Sequence, residues 1–286
     1  MSDHERVTQG LIEELPTYGA ASRWVSSEGR SLHLLDYGGE KPPLLVLPGI
    51  TSPAPTWDFV VAPLRDLVRP LVMDLRGRGL SDAGGSYRAP DFAVDAAAAI
   101  EQLGIERPLV LGHSLGARIA AALVAGGTEV AAAIVVDPPL SGPDRGPYPT
   151  TREAFAAQLR EAYEGTTADA VSAYYPLWPR SELLLRARWA PTCEEAAVLA
   201  TYDEFVREDF LEWWAEVPAP ASFIRGGESP VVTASGAEDA RAANPGAAYA
   251  VVPGAGHMVP WDNHTGFMQE LRTILEKELT PPGAGS

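Results

Sequence analysis

The sequence predicts an α/β chain: a doubly wound, mostly parallel sheet with a helical lid inserted between two of its strands. Three observations support this. Short apolar runs bounded by Gly and Pro recur along the chain, helical patterns stand between them, and between 139 and 218 the alternation gives way to helical patterns alone before it resumes.

The apolar runs are PLLVLPG (43–49), RPLVMDLRG (69–77), RPLVLGHS (107–114), AAAIVVDPP (131–139), ASFIRGG (221–227) and AYAVVPGAG (248–256). Each is rich in Val, Leu or Ile without polar alternation, as expected of strands covered on both faces. The segments APDFAVDAAAAIEQLG (89–104), SLGARIAAALVAGG (114–127) and TGFMQELRTILEKEL (265–279) have helical periodicity. Strands alternating with helices imply parallel pairing through crossover connections. Residues 1–138 and 219–286 are therefore assigned to the sheet domain, and 139–218 to a helical cap. The cap holds four of the seven tryptophans and five of the nine tyrosines. Most of those rings are expected to fasten the cap to the body.

The 286 residues suffice for one large domain carrying an insertion. A single cysteine, Cys193, excludes an intramolecular disulfide and fits a reducing compartment. The first residues lack a secretory signal pattern, and no apolar run approaches the roughly 20 residues needed to span a bilayer. A cytoplasmic protein, monomeric or homodimeric, is the expectation. The net charge of −16 repels phosphate backbones and anionic lipid, so neither nucleic acid nor a membrane is expected as a partner.

The sharpest local motif is Gly112-His113-Ser114-Leu115-Gly116. It fits G-x-S-x-G, follows an apolar run and opens a helical pattern, the setting that thrusts a serine hydroxyl clear of a sheet edge. A serine hydroxyl is a weak nucleophile at neutral pH and needs a base. Among the five histidines, His257 stands on the Gly-rich stretch PGAGHM after the last apolar run, where a base for Ser114 belongs. His4 lies near the terminus, His33 in an early strand, His113 inside the motif on the far side by strand alternation, and His264 at a helix start, as a cap or surface residue.

The base needs a carboxylate to hold its tautomer and stabilise the imidazolium. The commoner place for it follows ASFIRGG, where the chain reads GGESPVV and offers Glu228. The alternative is Asp137, which ends the run directly after the nucleophile helix. A right-handed crossover makes the two runs neighbours and brings Asp137 out beside Ser114. Asp137 is preferred, with Glu228 the alternative. For a developing oxyanion, the backbone N–H of Leu115 is one expected donor and that of Ile50, after Pro48-Gly49, the other. Neither a metal nor a cofactor is expected.

Taken in order, LPGITSPAPTW, MDLRGRGLSD, LGHSLGARIA, VVDPPLSGP and PGAGHMVPWDN resemble the α/β-hydrolase superfamily, whose motif order is Ser, Asp, His. The LPGITSPAPTW loop and the acid at position 137 further resemble the N-formylmaleamate deformylase and 2-(acetamidomethylene)succinate hydrolase group. The resemblance implies an α/β-hydrolase fold and hydrolysis of an N-acyl bond by Ser114, His257 and Asp137, with Ile50 and Leu115 as oxyanion donors. It also implies a small carboxylated substrate met by cap arginines and aromatics, for which Trp178, Tyr174, Tyr148, Arg186 and Arg188 are the candidates. All but two of the 22 basic residues are arginine, so most cap arginines are expected at the surface. The rival expectations are other chemistry on this fold, such as C–C hydrolysis, cofactor-free halogenation or oxygenation, or cyclisation, and a non-enzymatic ligand receptor.

Overall fold

The structure is a computed structural model that describes residues 19–280; His4 lies outside them. One eight-stranded sheet has the order β1-β2-β4-β3-β5-β6-β7-β8. Its strands are β1 (Ala21–Ser27), β2 (Arg30–Asp36), β3 (Pro43–Leu47), β4 (Arg69–Met73), β5 (Leu109–His113), β6 (Ala132–Val136), β7 (Ala221–Gly226) and β8 (Ala248–Val252). The six apolar runs are β3 to β8, all mutually parallel where paired. The strands β1 and β2 form an antiparallel hairpin, and β2 joins β4 antiparallel. Most of β1 is exposed, which is why it carries no two-sided apolar run.

Successive strand residues serve opposite faces. Leu45 and Leu47 join the core under α2 (Ala89–Gln102) and α3 (Leu115–Ala125), while Leu44 and Val46 join the core on the other face. There they meet the short α1 (Asp58–Val61) and the turn before it. This alternation explains why strands with no polar face are stable here: each side chain has an apolar layer to enter.

Among the described residues, the regular elements between β6 and β7 are all helices, with one 3-10 turn after α6, namely α4 (Arg152–Gly165), α5 (Ala168–Ser172), α6 (Arg180–Trp189), α7 (Glu195–Glu204) and α8 (Phe210–Glu216). The last of these departs from the simple cap expected over 139–218. Phe210 and Trp214 of α8 are fully buried in the same core as α3, and the Trp214 indole donates to Ala240 O at 3.1 Å. The helix α8 therefore flanks the sheet, next to α9 (Ala234–Ala243). After β8 come α10 (Val259–Asp262) and α11 (His264–Leu279). Among the described residues no helix is long and apolar enough to cross a membrane.

The register decides where chemistry can occur. Gly112 pairs with Val135 and His113 with Val136, so Ser114 and Asp137 leave adjacent strands at the same end of the sheet. Val136 pairs with Ile224, which puts the end of β7 on the other side of Asp137.

Candidate active site

Ser114 has φ 55° and ψ −118°, a left-handed conformation that a side chain adopts only under constraint. The constraint is the close approach of the strand exit, the helix entry and β3. A Cβ on Gly116 would stand 1.8 Å from Leu47 O, and one on Gly112 would stand 2.1 Å from Gly116 O. Only glycine fits at either place, so the motif is dictated by sterics. The turn lifts Ser114 to the start of α3, where the first helical N–H groups have no intrahelical acceptor.

Asp137 and His257 complete a chain of hydrogen bonds. His257 Nε2 lies 3.0 Å from Ser114 Oγ, and His257 Nδ1 lies 2.8 Å from Asp137 Oδ2. Asp137 is fully buried and adopts φ 47°. Its Oδ1 accepts the Gly226 N–H at 3.0 Å, and Oδ2 also accepts the Ser229 hydroxyl at 2.5 Å. Because Asp137 Oδ2 accepts from His257 Nδ1, the proton sits on Nδ1 and Nε2 is left to accept from Ser114. The alternative acid, Glu228, is exposed, and its backbone N–H donates to Ala255 O at 2.9 Å. Its side chain stays outside the cluster.

Ser114 and His257 open into a cavity of about 160 Å³ lined by Gly49, Ile50, Thr51, Ser52, His113, Tyr148, Thr150, Phe155, Gln158, Tyr175 and Met258. The loop bearing Ile50 thus faces the serine. Tyr148 closes the cap side, with its ring edge-on to His257 at 6.0 Å. Burial raises the Tyr148 hydroxyl well above the usual phenol range, so it stays protonated. A second chamber of about 30 Å³ shares Thr51, Phe155, Gln158 and Tyr175 with the first and adds Tyr174 and Arg186.

Of the five cap candidates, only Tyr148 lines the serine cavity. Tyr174 is 48% exposed, borders only the side chamber and donates to Glu161 Oε2 at 2.9 Å. Trp178 is stacked between Tyr175 and Trp261, with centroids at 4.2 and 5.1 Å, and donates to Asp262 Oδ1 at 3.2 Å. Its ring is spent on holding the cap to α10. Arg188 is half-buried and absent from both linings. Arg186 is buried, borders the side chamber and gives its guanidinium to Thr51, on both the carbonyl and the hydroxyl.

Three supporting residues lie beyond what the motifs announce. His113, the neighbour of Ser114, donates from Nε2 to the His257 carbonyl at 2.9 Å and so fixes His257 from behind. Burial, then the neighbouring His257, pushes His113 down to about 3, so it remains a neutral donor. Arg118 binds the carbonyls of Pro139 at 2.8 Å and Ser141 at 3.0 Å, holding the chain that leaves Asp137. Asp262 accepts the Gly256 N–H at 3.0 Å next to His257. His264 is not the cap of α11: the Asn263 side chain accepts Gly266 N–H in that role, and the His264 ring packs 5.0 Å from Phe59.

A strained serine turn at the C-terminal end of a parallel sheet, faced by histidine and a buried aspartate, defines the α/β-hydrolase class. The chain belongs to the alpha/beta hydrolase family, whose model matches residues 44–270. It is 36% identical to N-formylmaleamate deformylase of Pseudomonas putida over 258 residues, covering 89% of this chain and 96% of that protein. It is 29% identical to 2-(acetamidomethylene)succinate hydrolase of Mesorhizobium japonicum over 77% of this chain and 83% of that one. Among solved structures, N-formylmaleamic acid deformylase from Pseudomonas putida S16 superposes with a TM-score of 0.83 at 36% identity, over 88% of this chain and all of that one. The E-2-(acetamidomethylene)succinate hydrolase structure gives a TM-score of 0.75 at 27% identity, over 90% of this chain and 99% of that one.

Proposed function

We propose that the protein is a serine hydrolase that cleaves an amide, N-acyl or ester bond of a small carboxylated substrate through an acyl-enzyme. The observation that carries this is the unbroken relay from Asp137 through His257 to Ser114, at 2.8 and 3.0 Å. In this reading Ser114 Oγ attacks the carbonyl as its proton passes to His257 Nε2. Asp137 stabilises the imidazolium without taking the proton. The N–H groups of Ile50 and Leu115 receive the oxyanion, an arrangement in which each donor typically contributes about 3–4 kcal/mol in the transition state. The imidazolium then protonates the departing nitrogen or oxygen, and water repeats the sequence on the acyl-enzyme.

The cavity supports a small substrate. Its polar lining, Thr51, Ser52, Thr150, Gln158, Tyr148 and Tyr175, is uncharged and suits oxygen-rich molecules. The two similar hydrolases bear the names of carboxylated N-acyl compounds. A fluorophosphonate probe should label Ser114 in the wild type and not in Ser114→Ala. Turnover of an N-formyl or N-acetyl enamide carboxylate, compared with p-nitrophenyl acetate, then separates amide from ester preference. A folded wild type that resists labelling would favour a ligand receptor over an enzyme.

A further inference from the structure

Two buried guanidiniums grip the loop that carries Ile50, and they reach it from elements that include the cap. We propose that Arg78 and Arg186 are positioning residues: they orient the Ile50 N–H toward the oxyanion site and make that orientation depend on a docked cap. The inference rests on the oxyanion role given to Ile50 above.

Three consecutive carbonyls of the loop are each held by a donor. Gly49 O accepts the Ser52 N–H at 3.2 Å. Ile50 O accepts Arg78 Nε at 3.0 Å. Thr51 O accepts Arg186 Nη1, while Arg186 Nη2 binds Thr51 Oγ1 at 2.7 Å. A peptide unit is planar, so holding a carbonyl also aims the N–H of the next residue. Arg186, on Thr51 O, thus aims the Ser52 N–H; that N–H holds Gly49 O, whose peptide carries the Ile50 N–H, and Arg78 holds the Ile50 carbonyl between them, so the arginines act on the Ile50 N–H through this relay.

Both grips involve the cap. Arg186 stands on α6 itself. Arg78 comes from the loop after β4, but its Nη2 donates to Thr201 Oγ1 of α7 at 2.8 Å. Its Nη1 is anchored on Arg76 O at 2.8 Å. A displaced cap would release Thr51 at once and free one end of Arg78.

The arrangement is expensive for a mere tie. Both side chains are buried, at 1% and 7% exposure, and every acceptor that either guanidinium reaches is a neutral oxygen. A charge removed from water without a countercharge is costly. Burial pulls Arg78 down to about 10, in keeping with that penalty. What a guanidinium supplies that a neutral donor does not is a rigid fork that fixes several oxygens together.

Arg186 also borders the side chamber, so the rival role is a direct anchor for a substrate carboxylate. The test uses Arg186→Met, Arg186→Lys and Thr201→Val. It reads kcat and KM on uncharged p-nitrophenyl acetate and on a carboxylated N-formyl enamide, together with hydrogen exchange of the 49–52 amides. Arg186→Met should lower kcat roughly 100-fold on both substrates, with KM little changed, the size expected of a misplaced oxyanion donor. Exchange in the loop should rise, and Arg186→Lys should recover part of each loss. Thr201→Val keeps the guanidinium and removes the shorter of its two hydrogen bonds to the cap, leaving Ala197 O at 3.5 Å, so it should show a smaller loss of the same kind. It carries the test if Arg186→Met does not fold. Unchanged kcat on the neutral ester with a KM rise confined to the carboxylated substrate would overturn the proposal, as would unchanged loop exchange in both variants. If Ser114 of the wild type resists phosphonylation, the hydrolase reading fails, and loop exchange alone still decides whether the arginines hold the loop.

Discussion

The Ser229 hydroxyl donates to Asp137 Oδ2 at 2.5 Å. It thereby joins the strand end that lacks an aspartate to the strand end that supplies one. The end of β7 reads GGESP, and at that edge the chain contributes a donor in place of a carboxylate. Ser229 Oγ is itself oriented, since it accepts the Val231 and Val232 N–H groups at 3.1 and 3.2 Å. The buried Asp137 thus receives Gly226, Ser229 and His257, so both of its oxygens are hydrogen-bonded away from water.

This division of labour makes the two acids separable by substitution. Asp137→Asn should lower kcat by about 10⁴, since the amide cannot hold the productive imidazole tautomer. Ser229→Ala removes one hydrogen bond to a charged group, worth about 1.5–3 kcal/mol, and should cost roughly 10- to 100-fold if all of it bears on the transition state. Glu228→Gln, at an exposed side chain, should leave kcat unchanged. Steady-state kinetics on the preferred ester or amide checks all three, and the opposite ranking of Asp137 and Glu228 would show the acid is misassigned.

Trp178 links the cap to the histidine loop without touching the serine cavity. Its indole N–H holds Asp262 Oδ1, and Asp262 Oδ2 holds the Gly256 N–H beside His257. Burial raises Asp262 above the usual carboxylate range, so losing a donor would favour its protonated form further. Trp178→Phe keeps an aromatic ring for stacking and deletes the donor. A fall in kcat of a few-fold with unchanged KM is expected. A change in KM alone would return Trp178 to the list of substrate contacts.

The parts of the site that the sequence disclosed are those set by local backbone geometry. Ser114 is bracketed by two glycines whose Cβ atoms would strike backbone, and both Asp137 and His257 follow directly on apolar runs. Their strands are readable, so their arrival at one sheet edge is readable too. The cap was opaque because its contacts form at long range. Arg186 meets Thr51 135 positions away, and Trp178 meets Asp262 84 positions away. Helical periodicity says nothing of which ring faces the serine when one face must also pack on the body. His113 shows an intermediate case. Strand alternation placed its side chain away from Ser114, but its acceptor, the carbonyl of His257, depends on how a loop 144 positions later is folded.

The final prediction concerns pH and the seam between cap and body. Asp58 of α1 is buried at 1% exposure, and neither of its carboxylate oxygens has a hydrogen-bond partner. Burial, then the charge of Glu182 on the cap helix α6, pushes it up to about 8. In the unfolded chain an aspartate titrates at about 3.9. Between about 4 and 8 the folded protein therefore holds a proton that the unfolded chain has released, and stability falls as pH rises through that window. His113 works in the opposite direction. With its folded value near 3 against about 6.5 unfolded, stability falls as pH drops from about 6.5 toward 3. The stability advantage of Asp58→Asn over the wild type should thus grow from pH 5 to pH 8, by at most about 1.4 kcal/mol per pH unit for one proton, and its Tm advantage should grow with it. The advantage of His113→Gln should instead grow from pH 7 down to pH 4. Thermal melts across pH 4–8 read both differences. A gap between Asp58→Asn and wild type that is constant with pH would mean that Asp58 is ionised in the folded protein and that the seam holds a charge.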